Sequence, residues 1–352
     1  SLMDQRYGQL KDWVGQALLA FDRFDANNWQ LLPVSGDASF RRYFRAHSGG
    51  KSWIAVDAPP DKEDSCPFVS MADALESVGV SVPHIHQHDL QQGFMLLEDF
   101  GDDLYLAKLN ETTVNELYSD ALETLLVIQS CRPAAGSAFP LYDRTLLDRE
   151  VALFSEWFLQ KLLGIELDED ELQMVGFLFN YVIDSALEQP LVFVHRDFHS
   201  RNLMYRPGQA PGVIDFQDAV EGPVTYDLAS ILRDCYVSWP DEQVYGWVEG
   251  YRLKLIERGS VMPDAVHFRR WFDLMGAQRH LKAIGIFARL NIRDGKSGYL
   301  ADIPRTMNYL ISVAAKTEEL KPVAGWLVQK VLPCMRKSQY FEADVLDDWV
   351  VE

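Results

Sequence analysis

The sequence predicts an α+β chain in two lobes, a small β-rich lobe over residues 1–100 and a large, mainly helical lobe over 101–352. Three observations predict it. Up to about residue 100, short runs of β-formers alternate with turn signals. Beyond Asp102 the apolar positions recur with helical spacing. One β island crowded with polar residues then interrupts the helices. The chain has 352 residues, 48% of them hydrophobic and 24% charged, which is material for about two cores and excludes a disordered or low-complexity polymer.

The elements follow in order. Leu10, Trp13, Val14, Ala17, Leu18 and Phe21 fall on one helical face, predicting an amphipathic helix over 4–24. Strands are predicted at 29–34, 41–46, 52–57 and 94–97, and a helix that opens on Pro67 covers 67–78. Between the first two strands lies the turn Ser35–Phe40. The second lobe shows 3.6-residue spacing over 111–131, 146–163, 169–187, 226–236, 242–257, 263–290 and 299–313. Its β island comprises 192–195, 202–205 and 212–216.

Charge narrows the partners. With 33 Lys and Arg against 52 Asp and Glu, the formal net charge is −19. Such a surface repels phosphate backbones and anionic lipid, so nucleic acid and membranes are poor partners. The four cysteines lie far apart without a C-x-x-C pair, which indicates neither a zinc site nor a disulfide framework. No apolar run approaches the roughly 20 residues of a spanning helix. Ser1-Leu2 ahead of Met3, with no basic or apolar leader region, reads as an expression remnant. The expected setting is a reducing one, the cytoplasm.

The chemistry concentrates in the β island, which reads V-H-R-D-F-H-S-R-N-L-M-Y and then V-I-D-F-Q-D. An apolar strand ends at His195, and Asp197, His199 and Asn202 follow on a tight loop. A second strand delivers Asp215. Two carboxylates and an amide oxygen at strand ends, without cysteine, are hard oxygen ligands suited to Mg²⁺. The spacing D-x-x-x-x-N followed by a strand-borne Asp is the layout that kinase-type phosphoryl transfer requires. In that layout Asp197 is the catalytic base, and Asn202 and Asp215 hold the metal against the phosphates of ATP. His195 braces the loop.

These motifs resemble the aminoglycoside-phosphotransferase and choline-kinase-like branch of the protein-kinase fold, in which a His, here His199, replaces the catalytic-loop Lys. The stretch G-P-V-T-Y-D-L-A (222–229) also matches, with Asp227 a structural residue opening the helix after the metal strand. More narrowly, 36–45, 56–60, 96–102 and 278–290 resemble bacterial anomeric kinases of N-acetylmuramate and N-acetylglucosamine. The resemblance covers nearly the whole chain. It implies a protein-kinase-like fold, a small-molecule sugar substrate and a role returning cell-wall sugars to nucleotide-sugar synthesis.

Further residues take expected roles on this frame. The turn Ser35–Phe40 would cover the nucleotide phosphates, with Ser39 and Phe40 in contact and Arg42 supplying charge. Glu98, Asp99 and Phe100 would form a hinge near 98–101 that meets the adenine edge. Where kinases carry V-A-I-K, this chain has I-A-V-D, so Asp57 replaces the phosphate-binding Lys, and the charge is expected from Arg41, Arg42 or Arg45 on the neighbouring strand. The segment 269–296 carries seven Lys and Arg against two Asp. Its apolar stripe should pack inward, leaving Arg279, His280, Lys282 and Arg289 to face cleft or solvent, the first three as substrate ligands with His199. Two other readings remain open on sequence. A kinase of aminoglycosides or amino alcohols would want an acidic substrate wall, and a catalytically silent nucleotide binder would account for Asp57.

Overall fold

The structure, a computed structural model, describes residues 1–34, 40–342, 346 and 349. It divides into two compact units, one of Ser1–Ala138 with Arg201–Ala219, the other of Phe139–Ser200 with Val220–Glu352. The division therefore does not fall at residue 100. The first unit runs on for nearly forty residues and takes back a short segment from the middle of the chain.

The first unit opens with helix α1 (Leu2–Leu18), capped by the Ser1 hydroxyl, which accepts from Asp4 N–H. It stops short of the predicted end at 24. Five strands follow, β1 (Gln30–Val34), β2 (Arg42–Ser48), β3 (Lys51–Asp57), β4 (Ile85–Asp89) and β5 (Phe94–Glu98), with helix α2 (Cys66–Ser77) between β3 and β4. They form one antiparallel sheet in the order β1-β2-β3-β5-β4. The β2–β3 turn is Gly49-Gly50 at φ 58° and 76°, and a Cβ on Gly49 would meet the Arg23 carbonyl oxygen at 2.7 Å, so only glycine fits there. Leu10, Val14 and Leu18 of α1 bury against Leu31, Phe44, Ala46, Trp53, Phe94 and Leu96 of the sheet. Strand β4 was not predicted, because I-H-Q-H-D at a sheet edge offers neither β-branched runs nor apolar alternation.

Helices α3 (Tyr105–Lys108) and α4 (Val114–Gln129) complete this unit with the two-stranded β7 (Leu203–Met204) and β8 (Gly212–Val213). Backbone bonds explain why this hairpin belongs here: Val213 N–H donates to Ser81 O at 2.8 Å and Tyr205 N–H to Asp103 O at 2.7 Å.

In the second unit, α5 (Arg144–Leu153) continues into wider π-type turns over Phe154–Leu162, and α6 (Glu169–Leu187) starts on a reciprocal Asp168–Glu171 capping box. Strand β6 (Leu191–Val194) pairs with β9 (Val220–Pro223), so the predicted β island resolves into two separate ladders. Helices α7 (Tyr226–Leu232), α8 (Asp241–Glu257), α9 (Ala265–Ile292), α10 (Ile303–Lys316), α11 (Lys321–Trp326) and α12 (Leu332–Lys337) follow. Helix α9 is the axis of the unit, packed by α5, α6, α7, α8 and α10. At Gly285 it lies against the α5 backbone, where a Cβ would sit 2.4 Å from the Leu153 carbonyl carbon. This packing excludes the solvent-facing alternative for Arg279 and His280, which are buried because α9 is covered on both its apolar and its polar faces.

Candidate active site

In the second unit, β6 buries Phe193 and Val194 and so delivers His195 and the loop behind it at a fixed place. Asp227, buried in the first turn of α7, accepts from His195 N–H at 2.7 Å and Arg196 N–H at 3.1 Å. That clamp holds Arg196 at φ 85°, a left-handed conformation that costs a non-glycine residue about 1–3 kcal/mol. Asp197 N–H donates to His195 Nδ1 at 3.1 Å, and His199 N–H donates to Asp197 O at 2.9 Å. Beyond α7, buried Asp234 accepts from Ser200 N–H at 2.8 Å and Tyr236 N–H at 2.7 Å. Asp227 and His195 are joined in one brace of the loop, and Asp234 is a second brace that no local motif announced.

Burial alone would raise the Asp197 carboxyl, but Lys282 first, then His199, His195 and Arg279, outweigh it and hold the group below the ordinary carboxylate range. Asp197 is thus kept ionised in a desolvated setting, the state a proton acceptor needs. Burial lowers the His199 imidazole, whose ring meets Tyr236 edge-on at 5.4 Å.

A buried carboxylate on α5, absent from the sequence reading, organises the cations. Glu150 accepts from the Tyr142 hydroxyl, from Arg196 at 3.0 Å, from Lys282 at 2.8 Å and from Gln278 Nε2 at 3.4 Å. Lys282 also donates to Tyr226 Oη at 3.1 Å. Lys282 therefore sits in an ion pair with Glu150 and a second bond to Tyr226. His280 is corrected: its Nε2 donates to Arg233 O at 2.9 Å and its ring stacks on Tyr309 at 4.8 Å. Arg279 stays buried with its guanidinium carbon 5.1 Å from the Tyr226 ring centroid.

In the first unit, Asn202 precedes β7 and Asp215 follows β8. Ile214 N–H donates to Asn202 O at 3.2 Å, and Asn202 Nδ2 lies 3.3 Å from Asp215 Oδ2. Gln217 Nε2 donates to Asp215 Oδ1 at 2.7 Å, and Asp215 is held at φ 59°. Two strained non-glycine residues, Arg196 and Asp215, thus fall in the same motif. The pair fits Mg²⁺: both side chains offer oxygen, the amide of Asn202 can present Oδ1 by a flip, and two protein ligands leave room for water and phosphate oxygens. The described residues contain no group of three or more His, Cys, Asp or Glu placed to hold a metal.

The nucleotide expectations fare less evenly. Ser39 lies outside the described residues, and Phe40 is exposed beside Lys62. Arg42 is committed to Asp57 at 2.6 Å, with Arg6 on the other oxygen of the same wholly buried carboxylate. Arg41 pairs with Glu63 at 3.0 Å, and Arg45 with Asp99 at 2.7 Å and Asp102 at 2.9 Å. Arg41, Arg42 and Arg45 each already have an acid, so their expected role as stand-ins for the missing Lys is corrected. Asp99 is filled by Arg45, Ser52 Oγ and Gly101 N–H. Glu98 is tied to His84 through its backbone and its side chain. Phe100 lies under Arg206 at 4.5 Å and presses on Gly212, where a Cβ would come within 2.5 Å of the ring.

Comparison with known proteins follows this geometry. Residues 30–263 match the family model described as "Phosphotransferase enzyme family". A Pseudomonas aeruginosa N-acetylmuramate/N-acetylglucosamine kinase is 44% identical over 324 residues, covering 90% of this chain and 94% of the relative. The Neisseria meningitidis protein of that name is 40% identical, covering 93% of this chain and 96% of its own. Among solved structures, the Plasmodium vivax ethanolamine kinase superposes with TM-score 0.58 at 11% identity, covering 88% of this chain and 89% of that one. The ADP-bound aminoglycoside phosphotransferase APH(2'')-Ib gives 0.54 at 15% identity over 85% and 97%. These two likenesses establish the fold, which is protein-kinase-like.

Proposed function

The chain belongs to the phosphotransferase enzyme family, and on that premise we propose that it transfers the γ-phosphoryl group of ATP to the anomeric hydroxyl of N-acetylmuramate or N-acetylglucosamine. The observation that carries the reading is Asp197, half-buried yet held ionised on a loop pinned by Asp227 and Asp234. The carboxylate accepts the proton of the attacking hydroxyl. A hemiacetal hydroxyl is more acidic than an ordinary alcohol, which lowers the demand on that base. Asn202 and Asp215 would hold a magnesium ion, which supplies neutralising charge to the phosphoryl oxygens of the loose transition state. Glu150 fixes Lys282 and Arg196 so that the field around Asp197 is set before substrate arrives, an arrangement that contributes through preorganisation.

Asp57, which motivated a silent nucleotide binder, has a structural occupation as the shared partner of Arg6 and Arg42. With ATP as donor and cell-wall sugars returning from outside, the working compartment is the cytoplasm. The reading is tested by ADP release with Mg-ATP across amino sugars, aminoglycosides and choline, followed by locating the phosphate on the product. Turnover of the two N-acetylated sugars with phosphate at C1 is expected. Turnover of choline or an aminoglycoside alone, or nucleotide binding without turnover, would contradict it.

A further inference from the structure

Residues 278–282 of α9 bring four polar side chains into the interior beside the catalytic loop; three of them have a side-chain hydrogen bond or ion pair there, although Gln278 Oε1 and His280 Nδ1 are left without a partner. Gln278 and Lys282 reach Glu150, and His280 reaches the Arg233 carbonyl. Arg279 differs. It is only 8% exposed, its Nε is shut off from solvent with no hydrogen-bond partner, and it makes no ion pair among the described residues. The acids that influence it, Asp197 and Asp227, act at a distance, and Asp227 is already taken by two backbone N–H groups. A buried guanidinium without a carboxylate is costly unless something bound there answers it. Scarcity of acids is no explanation in a chain with 52 of them against 33 bases.

The missing partner is an anion brought by the substrate. The Tyr226 ring lies 5.1 Å from the guanidinium carbon and cannot accept in the way an anion does, so the unpartnered Nε–H suits a planar acceptor such as a carboxylate. A transferred phosphoryl group comes with its own cation, whereas a carboxylate on the acceptor sugar comes with none. We propose that Arg279 is a specificity-determining residue that receives the lactyl carboxylate of N-acetylmuramate, a group that N-acetylglucosamine lacks. The inference rests on the amino-sugar kinase reading above and adds to it the residue that tells the two sugars apart.

The experiment compares kcat/KM for both sugars in the wild type, Arg279→Gln and Arg279→Lys. Losing a charge-assisted pair predicts a fall on the order of 10- to 100-fold with N-acetylmuramate. Turnover of N-acetylglucosamine should fall by clearly less, since it loses only the contribution of Arg279, the last of the four groups that hold Asp197 ionised, and no charged bond to that sugar. Arg279→Lys should recover part of the loss with the muramate alone. Equal losses on both sugars would overturn the role of Arg279. A wild type that phosphorylates neither sugar would instead overturn the underlying reading. Should the variants fail to fold, the wild type still decides, by binding N-acetylmuramate against its carboxamide. Weaker binding of the amide by about tenfold supports the proposal, and equal binding refutes it.

Discussion

His280 shows how completely one side chain can be withdrawn from solution chemistry. Burial foremost, aided by Arg279 and Arg233, lowers its imidazole from 6.5 to about 3. The unfolded chain therefore binds one more proton than the folded one between those values, so stability is fully present above pH 6.5 and drains away as pH falls toward 3. The slope belonging to this one group is at most about 1.4 kcal/mol per pH unit. Melting curves of the wild type and His280→Gln should show the variant less stable at pH 7.5 and the gap closing by pH 4.5. A gap independent of pH would refute the assignment. The same residue marks the limit of sequence reading. Asp197, Asn202, Asp215, His195 and Asp227 were legible because a short loop and two strand ends keep their spacing in any single sequence. Glu150 was not, since its partners come from β6's loop and from α9, far away along the chain, and no local pattern marks a carboxylate that will be enclosed.

Among the elements, α9 tests the packing account. Gly285→Ala places a methyl where the Leu153 backbone already stands, at 2.4 Å, so the helices must separate despite the better helix propensity of alanine. A loss of about 1–3 kcal/mol is expected, the usual cost of overpacking. Gly276→Ala is the internal control, because its Cβ would find only His280 at 3.7 Å, an ordinary contact. That variant should be neutral or gain up to about 1 kcal/mol. Chemical denaturation of both reads the contrast, and equal effects would mean that α9 does not lie on α5 as described. The start of helix α6 is written in the sequence, because Asp168 and Glu171 form a capping box there. Helix α9 was legible as a helix but not in its orientation. The rule that polar faces meet solvent fails where a polar face meets a buried network instead.

At the scale of the whole chain, two units of separate composition share one motif. The segment from His195 to Asp215 starts in the second unit and ends in the first, crossing between Ser200 and Arg201. A cut drawn from periodicity at residue 100 missed this because the β7–β8 hairpin is joined to the first unit by backbone bonds that composition does not reveal. The match to relatives over 90% of the chain shows that both units belong to one family pattern. The central claim is that Asp197 accepts the proton of the sugar hydroxyl. It is tested most directly by single-turnover phosphoryl transfer from ATP to N-acetylglucosamine in Asp197→Asn, with nucleotide affinity and melting temperature measured on the same protein. The account predicts transfer slowed on the order of 10²- to 10⁴-fold while affinity and stability stay near those of the wild type. Transfer at close to the wild-type rate would contradict it.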